Sequence, residues 1–248
     1  MKKWTARQKL QMKRQIALIS AVTLVVLLLL TGSLTAYQSI RAEQWRKQEE
    51  KERQALFVKV TKPEIRPALL TPNKNSRPQT KLKKVNGIVV HYTANPGTDA
   101  MANRNYFESR KDKPDQTKYK VSSHFIIGLD GTIVQCIPLD EISYASNDRN
   151  KDTVSIECCH PNKSGKFSAA TQTALIQLCA WLCGNYGMDT SDIIRHYDVT
   201  GKMCPKYYVK HKDAWTTLKK NISIELSRYS NCLLYTSPSP RDGLLSRM

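Results

Sequence analysis

Five residues in this chain have types and spacings that could do chemistry. His196 and Cys204 stand eight positions apart in "RHYDVTGKMCP", with Lys202 between them; "NGIVVHYT" carries His91 and "TVSIECC" carries Glu157. Imidazole nitrogen and thiolate sulfur are donors that zinc accepts, and a catalytic zinc takes three protein ligands and keeps a fourth position for water. A lysine near such a centre can neutralise a developing oxyanion. From local spacing alone, His196 and Cys204 also fit an ordinary loop with a buried thiol, and Glu157 fits a strand-end carboxylate in a surface ion pair. A Cys204–His196 nucleophile pair is a third arrangement. His124, His160 and His211 supply no obvious fourth ligand, being respectively mid-strand, in a loop after a strand, and beyond the motif.

The elements that must position these residues are legible in the hydrophobic pattern. "NGIVVHYT" is a short β-branched run that reads as a buried strand delivering His91 to the sheet edge. "SSHFIIGLDGTIVQCIP" is a pair of strand-like runs about an Asp130-Gly131 turn. "TVSIECC" is another strand. "SAATQTALIQLCAWLCGNYG" places Ala174, Leu175, Leu178, Cys179, Leu182 and Cys183 on one helical stripe, opening on Ser168 as N-cap and closing on Gly187. "TDAMANRNYFESR" reads as a further helix. Strands interleaved with helices predict a single α/β domain with a central mixed sheet flanked by helices, spanning residues 85–230.

Taken together, "IVVHYTA", "HFIIGLDGTIVQ", "SIECC" and "RHYDVTGKMCP" occur in an order and at separations that resemble the zinc-dependent N-acetylmuramoyl-L-alanine amidases. That family also includes phage amidase-type lysozymes and animal peptidoglycan recognition proteins. The resemblance implies His91, His196 and Cys204 as ligands of a zinc ion. It also implies Lys202 as the oxyanion partner and Glu157 as the general base that takes a proton from the activated water. The activity so implied is hydrolysis of the amide between N-acetylmuramic acid and L-alanine in peptidoglycan. A non-catalytic muropeptide-binding module is the alternative, although such relatives tend to lose the metal cysteine that this chain keeps at position 204. Two departures bear on substrate contact rather than on the metal site. Some relatives place a tyrosine before the hairpin-strand histidine where this chain has Ser123, and "ISYASNDRN", with Tyr144 and Ser146, stands where a Trp-His pair is common.

The 248 residues carry a net charge of +18, and 40% of them are hydrophobic, so the chain can bury one ordinary core. The charge alone fits nucleic acid, anionic lipid or an anionic wall polymer. Lys2, Lys3, Arg7, Lys9, Lys13 and Arg14 precede an uncharged stretch centred on "IALISAVTLVVLLLLTGSLTAY". This reads as a transmembrane signal anchor over 1–40 rather than a cleaved signal peptide, because Leu34 occupies the small-residue position two before Ala36. The reading places a monomer at the bacterial cell membrane, single-pass, with its catalytic domain outside and facing the wall, which disfavours a nucleic-acid partner. Residues 41–84 read as a juxtamembrane helix followed by a Pro-rich linker with Pro63, Pro67, Pro72 and Pro78. The tail 231–248, "CLLYTSPSPRDGLLSRM" from Cys232 on, breaks in character and reads as non-native or disordered sequence. Cys179 and Cys183 read as core residues, while Cys136 could pair with Cys158 or Cys159.

Overall fold

A computed structural model describes residues 6–55 and 59–236. Two compact units divide the chain, Met1–Glu52 and Arg53–Met248. Lys2 and Lys3 of the basic cluster and residues 237–248 of the tail lie outside the described residues, while the helix α6 runs from Lys212 to Thr236 and so includes Cys232.

The first unit is formed by helix α1, Ala6–Ala55. Among the described residues no helix is long and apolar enough to cross a membrane. This overturns the expected transmembrane anchor and, with it, the single-pass placement at the bacterial membrane. The physical reason is visible along the run that suggested the anchor. Thr23, Thr31, Ser33, Thr35 and Ser39 interrupt it, their hydroxyls turned back to donate to the carbonyls of Ile19, Leu28, Leu30, Gly32 and Ala36. Polar side chains in a lipid-facing helix are costly even when bonded to their own backbone.

The second unit is an α/β sandwich built on a six-stranded sheet. In chain order the strands are β1 (Ile65–Pro67), β2 (Ile88–Tyr92), β3 (Phe125–Ile127), β4 (Ile133–Gln135), β5 (Val154–Cys158) and β6 (Ile193–Arg195), and their spatial order is β1-β4-β3-β5-β2-β6. β3 and β4 are antiparallel across the Asp130-Gly131 turn and every other pair is parallel, which makes the sheet mixed as the pattern predicted. Gly131 has φ +87°, a left-handed turn position that favours glycine, and Asp130 Oδ1 accepts from the Thr132 backbone at 3.0 Å.

Period-two alternation sends successive residues to opposite faces. Ile88 and Val90 of β2, Phe125 and Ile127 of β3, and Val154 and Ile156 of β5 enter one core with helices α3 (Ala169–Tyr186) and α6. Ser168 caps α3 by accepting from the Thr171 N–H at 3.0 Å, and Gly187 closes it at φ 61°. The predicted stripe from Ala174 to Cys183 is buried throughout. The other face carries a smaller core of Leu70, Ala100, Phe107, Ile126, Val134 and Ile137 beneath helix α2, Ala100–Glu108. His91 and Glu157 point to this second face.

The segment expected to be a linker differs most from the sequence reading. β1 adds to the sheet edge beside β4, Leu70 is 1% exposed, and Arg77 forks onto Glu141 through two hydrogen bonds of 2.9 and 2.8 Å. Proline is tolerated on an edge strand, where its missing N–H can face away from the ladder, so Pro67 does not prevent pairing. Among the described residues, Cys136, Cys158, Cys159, Cys179, Cys183 and Cys204 are all free and buried, so Cys136 is paired with neither Cys158 nor Cys159.

Candidate metal centre

The site is assembled at the carboxyl ends of three parallel strands. In the β2–β5 pair His91 stands directly opposite Glu157, so the two side chains share one face of the sheet. Val90 pairs with Arg195 at the end of β6, and His196 follows immediately as the first residue of helix α4, His196–Thr200. The imidazoles of His91 and His196 meet edge to face with centroids 4.7 Å apart.

The eight-residue spacing to Cys204 has a local cause. Asp198 accepts the Arg195 backbone N–H at 2.8 Å and holds its guanidinium at 2.7 Å, fixing the start of α4. Gly201, at φ +76°, then ends this single turn in the left-handed conformation. The chain doubles back, and the Tyr197 N–H donates to the Cys204 carbonyl at 2.8 Å, which returns the thiol to the histidine. Cys204 Sγ lies 3.8 Å from His91 Nδ1. One donor atom from each of His91, His196 and Cys204 lies within 4.8 Å of the others, and all three residues are buried.

This donor set fits a zinc ion. Tetrahedral ligands at about 2.0–2.3 Å from zinc stand roughly 3.3–3.6 Å from one another, close to the sulfur–nitrogen separation here. The far nitrogens of both rings are held by consecutive residues of one loop: His91 Nε2 lies 3.1 Å from Ser146 Oγ and His196 Nε2 lies 3.2 Å from Asn147 Oδ1. An amide oxygen only accepts, so His196 donates through Nε2 and keeps a lone pair on Nδ1. Asn150 pins the loop by accepting the N–H groups of Ala145 and Ser146 at 3.0 and 2.6 Å, and Asn147 sits at φ 51°.

Electrostatics separate the roles available to these groups. Burial, then the charges of His196 and Lys202, holds His91 well below the usual imidazole range. Burial followed by Lys202 lowers His196 in the same direction. Both rings are therefore neutral at pH 7, the form that ligates metal. Burial pushes the Cys204 thiol up to about 12. A nucleophilic cysteine needs the opposite shift, which disfavours the Cys204–His196 hydrolase arrangement, whereas a coordinated metal removes the thiol proton outright. Glu157 is pushed up to about 8, chiefly by burial and with Lys202 opposing, and its Oε2 is shut off from solvent without a hydrogen-bond partner. Lys202 itself is exposed at the rim, where its charge reaches His91, His196, Glu157 and Cys204.

His91, His196 and Cys204 are thus brought together, with Glu157 opposite His91 in the sheet and Lys202 close enough for its charge to act on all four. His124 does not join them: it lies just before β3, with Nδ1 accepting the Ser155 N–H at 3.0 Å and Nε2 2.9 Å from the Glu141 carbonyl. His160 is buried and stacks on Tyr92 with centroids 5.1 Å apart, and Ser123 donates to backbone carbonyls of Phe125 and Ser155. Ser146 and Asn147 are the contributors that sequence reasoning missed as partners of the histidines. Only their place in the loop ahead of "TVSIE" hinted at them.

Known proteins carry the same architecture. Residues 81–207, half of the chain, match the family described as N-acetylmuramoyl-L-alanine amidase. N-acetylmuramoyl-L-alanine amidase CwlL of Bacillus licheniformis is 36% identical over 163 residues, covering 60% of this chain and 44% of that protein. N-acetylmuramoyl-L-alanine amidase BlyA of Bacillus subtilis (strain 168) is 30% identical over 176 residues, covering 62% and 46% respectively. The catalytic domain of XlyA superposes with a TM-score of 0.52 at 29% identity, covering 64% of this chain and 99% of that one. The chain spans less than half the length of the curated relatives it matches. With the matched segment running from before β2 to just past Cys204, and so enclosing all five site residues, this chain belongs to the N-acetylmuramoyl-L-alanine amidase family.

Proposed function

We propose that the protein is a zinc-dependent peptidoglycan hydrolase that cleaves the amide joining the lactyl group of N-acetylmuramic acid to L-alanine. The observation that carries this reading is the convergence of three buried donor atoms within 4.8 Å beside an unpartnered carboxylate oxygen on the same sheet face. His91, His196 and Cys204 would hold the ion. Bound there, zinc supplies a Lewis acid and lowers the pKa of water toward about 7.

The remaining work falls to two side chains. Glu157, opposite His91 in the sheet and raised by burial, takes the proton of the attacking water and passes it to the departing alanine nitrogen. Lys202, whose charge reaches every member of the cluster, stabilises the oxyanion that forms on the lactyl carbonyl.

Two substitutions test the assignment. Glu157→Gln keeps shape and ligands but removes the base, so zinc content and muropeptide affinity should persist while turnover drops by roughly 10²–10⁴. Cys204→Ser exchanges a thiolate for a much poorer ligand and should lose the metal itself. Cleavage at the parent rate by Glu157→Gln would place the base elsewhere. Muropeptide binding by every form, with cleavage by none, would make the protein a recognition module.

A further inference from the structure

We propose that Arg77 is a positioning residue for the metal centre: through Glu141 it holds in place the loop whose Ser146 and Asn147 meet the two histidine rings. The proposal rests on the zinc reading above and extends the site to a residue that lies ahead of the family match, which begins at residue 81.

The grip is a short ladder between residues 77–82 and 140–142. Arg77 donates from Nε and Nη2 to the two carboxylate oxygens of Glu141 at 2.9 and 2.8 Å, and from Nη1 to the Leu70 carbonyl at 2.8 Å. Beside this fork the Ile142 N–H donates to the Thr80 carbonyl and the Leu82 N–H to the Asp140 carbonyl, both at 2.8 Å. Leu70 and Leu82 are buried in the two cores on opposite faces of the sheet, so the segment that carries Arg77 is anchored at both ends. The side chains of the Arg77–Glu141 pair are only 13% and 10% exposed, whereas Lys81 and Asp140, which pair at 2.7 Å in the same ladder, are 73% and 64% exposed. The forked, charge-assisted contact shielded from water is the strong one of the two, and an exposed lysine pair contributes little.

Five positions separate Glu141 from Ser146. Along them the Glu141 carbonyl lies 2.9 Å from His124 Nε2, Ser143 Oγ stands 2.7 Å from Ser155 Oγ, and Tyr144 exchanges bonds with Ser122 at 3.0 and 3.1 Å. Ser146 Oγ then lies 3.1 Å from His91 Nε2, and Asn147 Oδ1 lies 3.2 Å from His196 Nε2. The hydrogen bonds that follow Glu141 join neutral groups, so the fork is the firmest point at which this loop begins. Without Arg77 the Glu141 carboxylate is left buried and unpaired, a state that a carboxylate leaves by turning out to water or by taking up a proton. Turning out draws residues 141–142 away from Thr80 and His124, and the loop that meets both rings loses its fixed start.

None of the three ligand residues lies on residues 77–82 or on the loop they grip: His91 is in β2, His196 opens α4 and Cys204 follows it. A purely structural Arg77 would therefore change how readily the chain unfolds and leave the zinc affinity of the folded protein where it was. A positioning Arg77 changes that affinity, because a ring held by its second nitrogen presents the first in a fixed direction. Lys81 supplies the control. It bridges Glu141 through the backbone and pairs with Asp140 through an exposed side chain, so its truncation removes a charge from the same ladder without touching the fork.

The test uses the full chain as parent, Arg77→Gln, Arg77→Lys and Lys81→Ala. Zinc dissociation constants are measured by competition with a chelator of known affinity, and the thermal midpoint of each metal-free form is recorded beside them. Arg77→Gln should weaken zinc binding about tenfold, the lower end of the range for a lost outer partner of a metal-ligating histidine. Arg77→Lys keeps the charge but cannot fork, so it should fall between Arg77→Gln and the parent. Lys81→Ala should bind zinc within about twofold of the parent. If Arg77→Gln does not fold, Arg77→Lys decides the case. Parent affinity in the folded Arg77 variants, with only the midpoint lowered, would overturn the inference, as would an equal loss in Lys81→Ala. A parent that folds yet takes up no stoichiometric zinc would overturn the metal reading, and this inference with it.

Discussion

Ser146 and Asn147 do for the candidate metal site what their own chemistry allows: neither reaches the ligand cluster, yet each meets the far nitrogen of one histidine. Holding a ring by its second nitrogen fixes both its tautomer and its orientation, and loss of such a partner commonly costs 10–100-fold in metal affinity. Ser146→Ala and Asn147→Ala are therefore expected to weaken zinc binding by roughly that factor each, read by competition with a chelator of known affinity, while the metal-free fold keeps its thermal midpoint within about 2 °C. Unchanged affinity in both would remove the loop from the metal site. The sequence pointed to their loop but not to their role, because serine and asparagine in a polar stretch look like any loop. The convergence of His91, His196 and Cys204 was legible because histidine and cysteine are scarce types and recur there in a family pattern.

At the scale of elements, parallel strands do the positioning, and alternation explains why a strand sequence could be read for function. In "TVSIECC" the residues Val154, Ile156 and Cys158 enter the helix-covered core, which leaves Ser155 and Glu157 on the opposite face. The same face carries His124, whose burial lowers it to about 4 while its neutral ring spans Ser155 and Glu141. Because this folded value lies below the unfolded value of about 6.5, the unfolded chain takes the proton first. The stability contributed is complete above that pH and is lost as pH falls toward 4, by about 3 kcal/mol at pH 4. Denaturant unfolding at pH 7 and pH 4.5 should show His124→Gln losing less stability between the two than the parent does. Equal losses would mean that the ring titrates normally. Strand β1 was missed because three residues ending in proline carry no alternation to read, and its pairing with β4 is decided by tertiary contact alone.

Across the whole molecule, the folded unit begins well ahead of the family match. β1, Leu70 and the Arg77–Glu141 pair tie residues 65–77 to the sheet and to the loop before the metal-binding segment. A chain starting at residue 85 exposes the β4 edge, vacates the Leu70 site and strands the Glu141 carboxylate, which is 7% exposed, without its cation. Against a chain starting at residue 59, its midpoint should fall by roughly 10 °C, since loss of a buried leucine alone costs about 2–5 kcal/mol; equal midpoints would return the segment to the status of a linker. The net charge of +18 would suit the anionic wall polymer proposed above as substrate. The most direct test of the central claim is the release of new L-alanine amino termini from purified peptidoglycan, followed before chelation, after chelation, and after zinc is restored. The account predicts release that stops on chelation and returns with stoichiometric zinc; release that persists without metal, or zinc-loaded protein that leaves the lactyl amide intact, would contradict it.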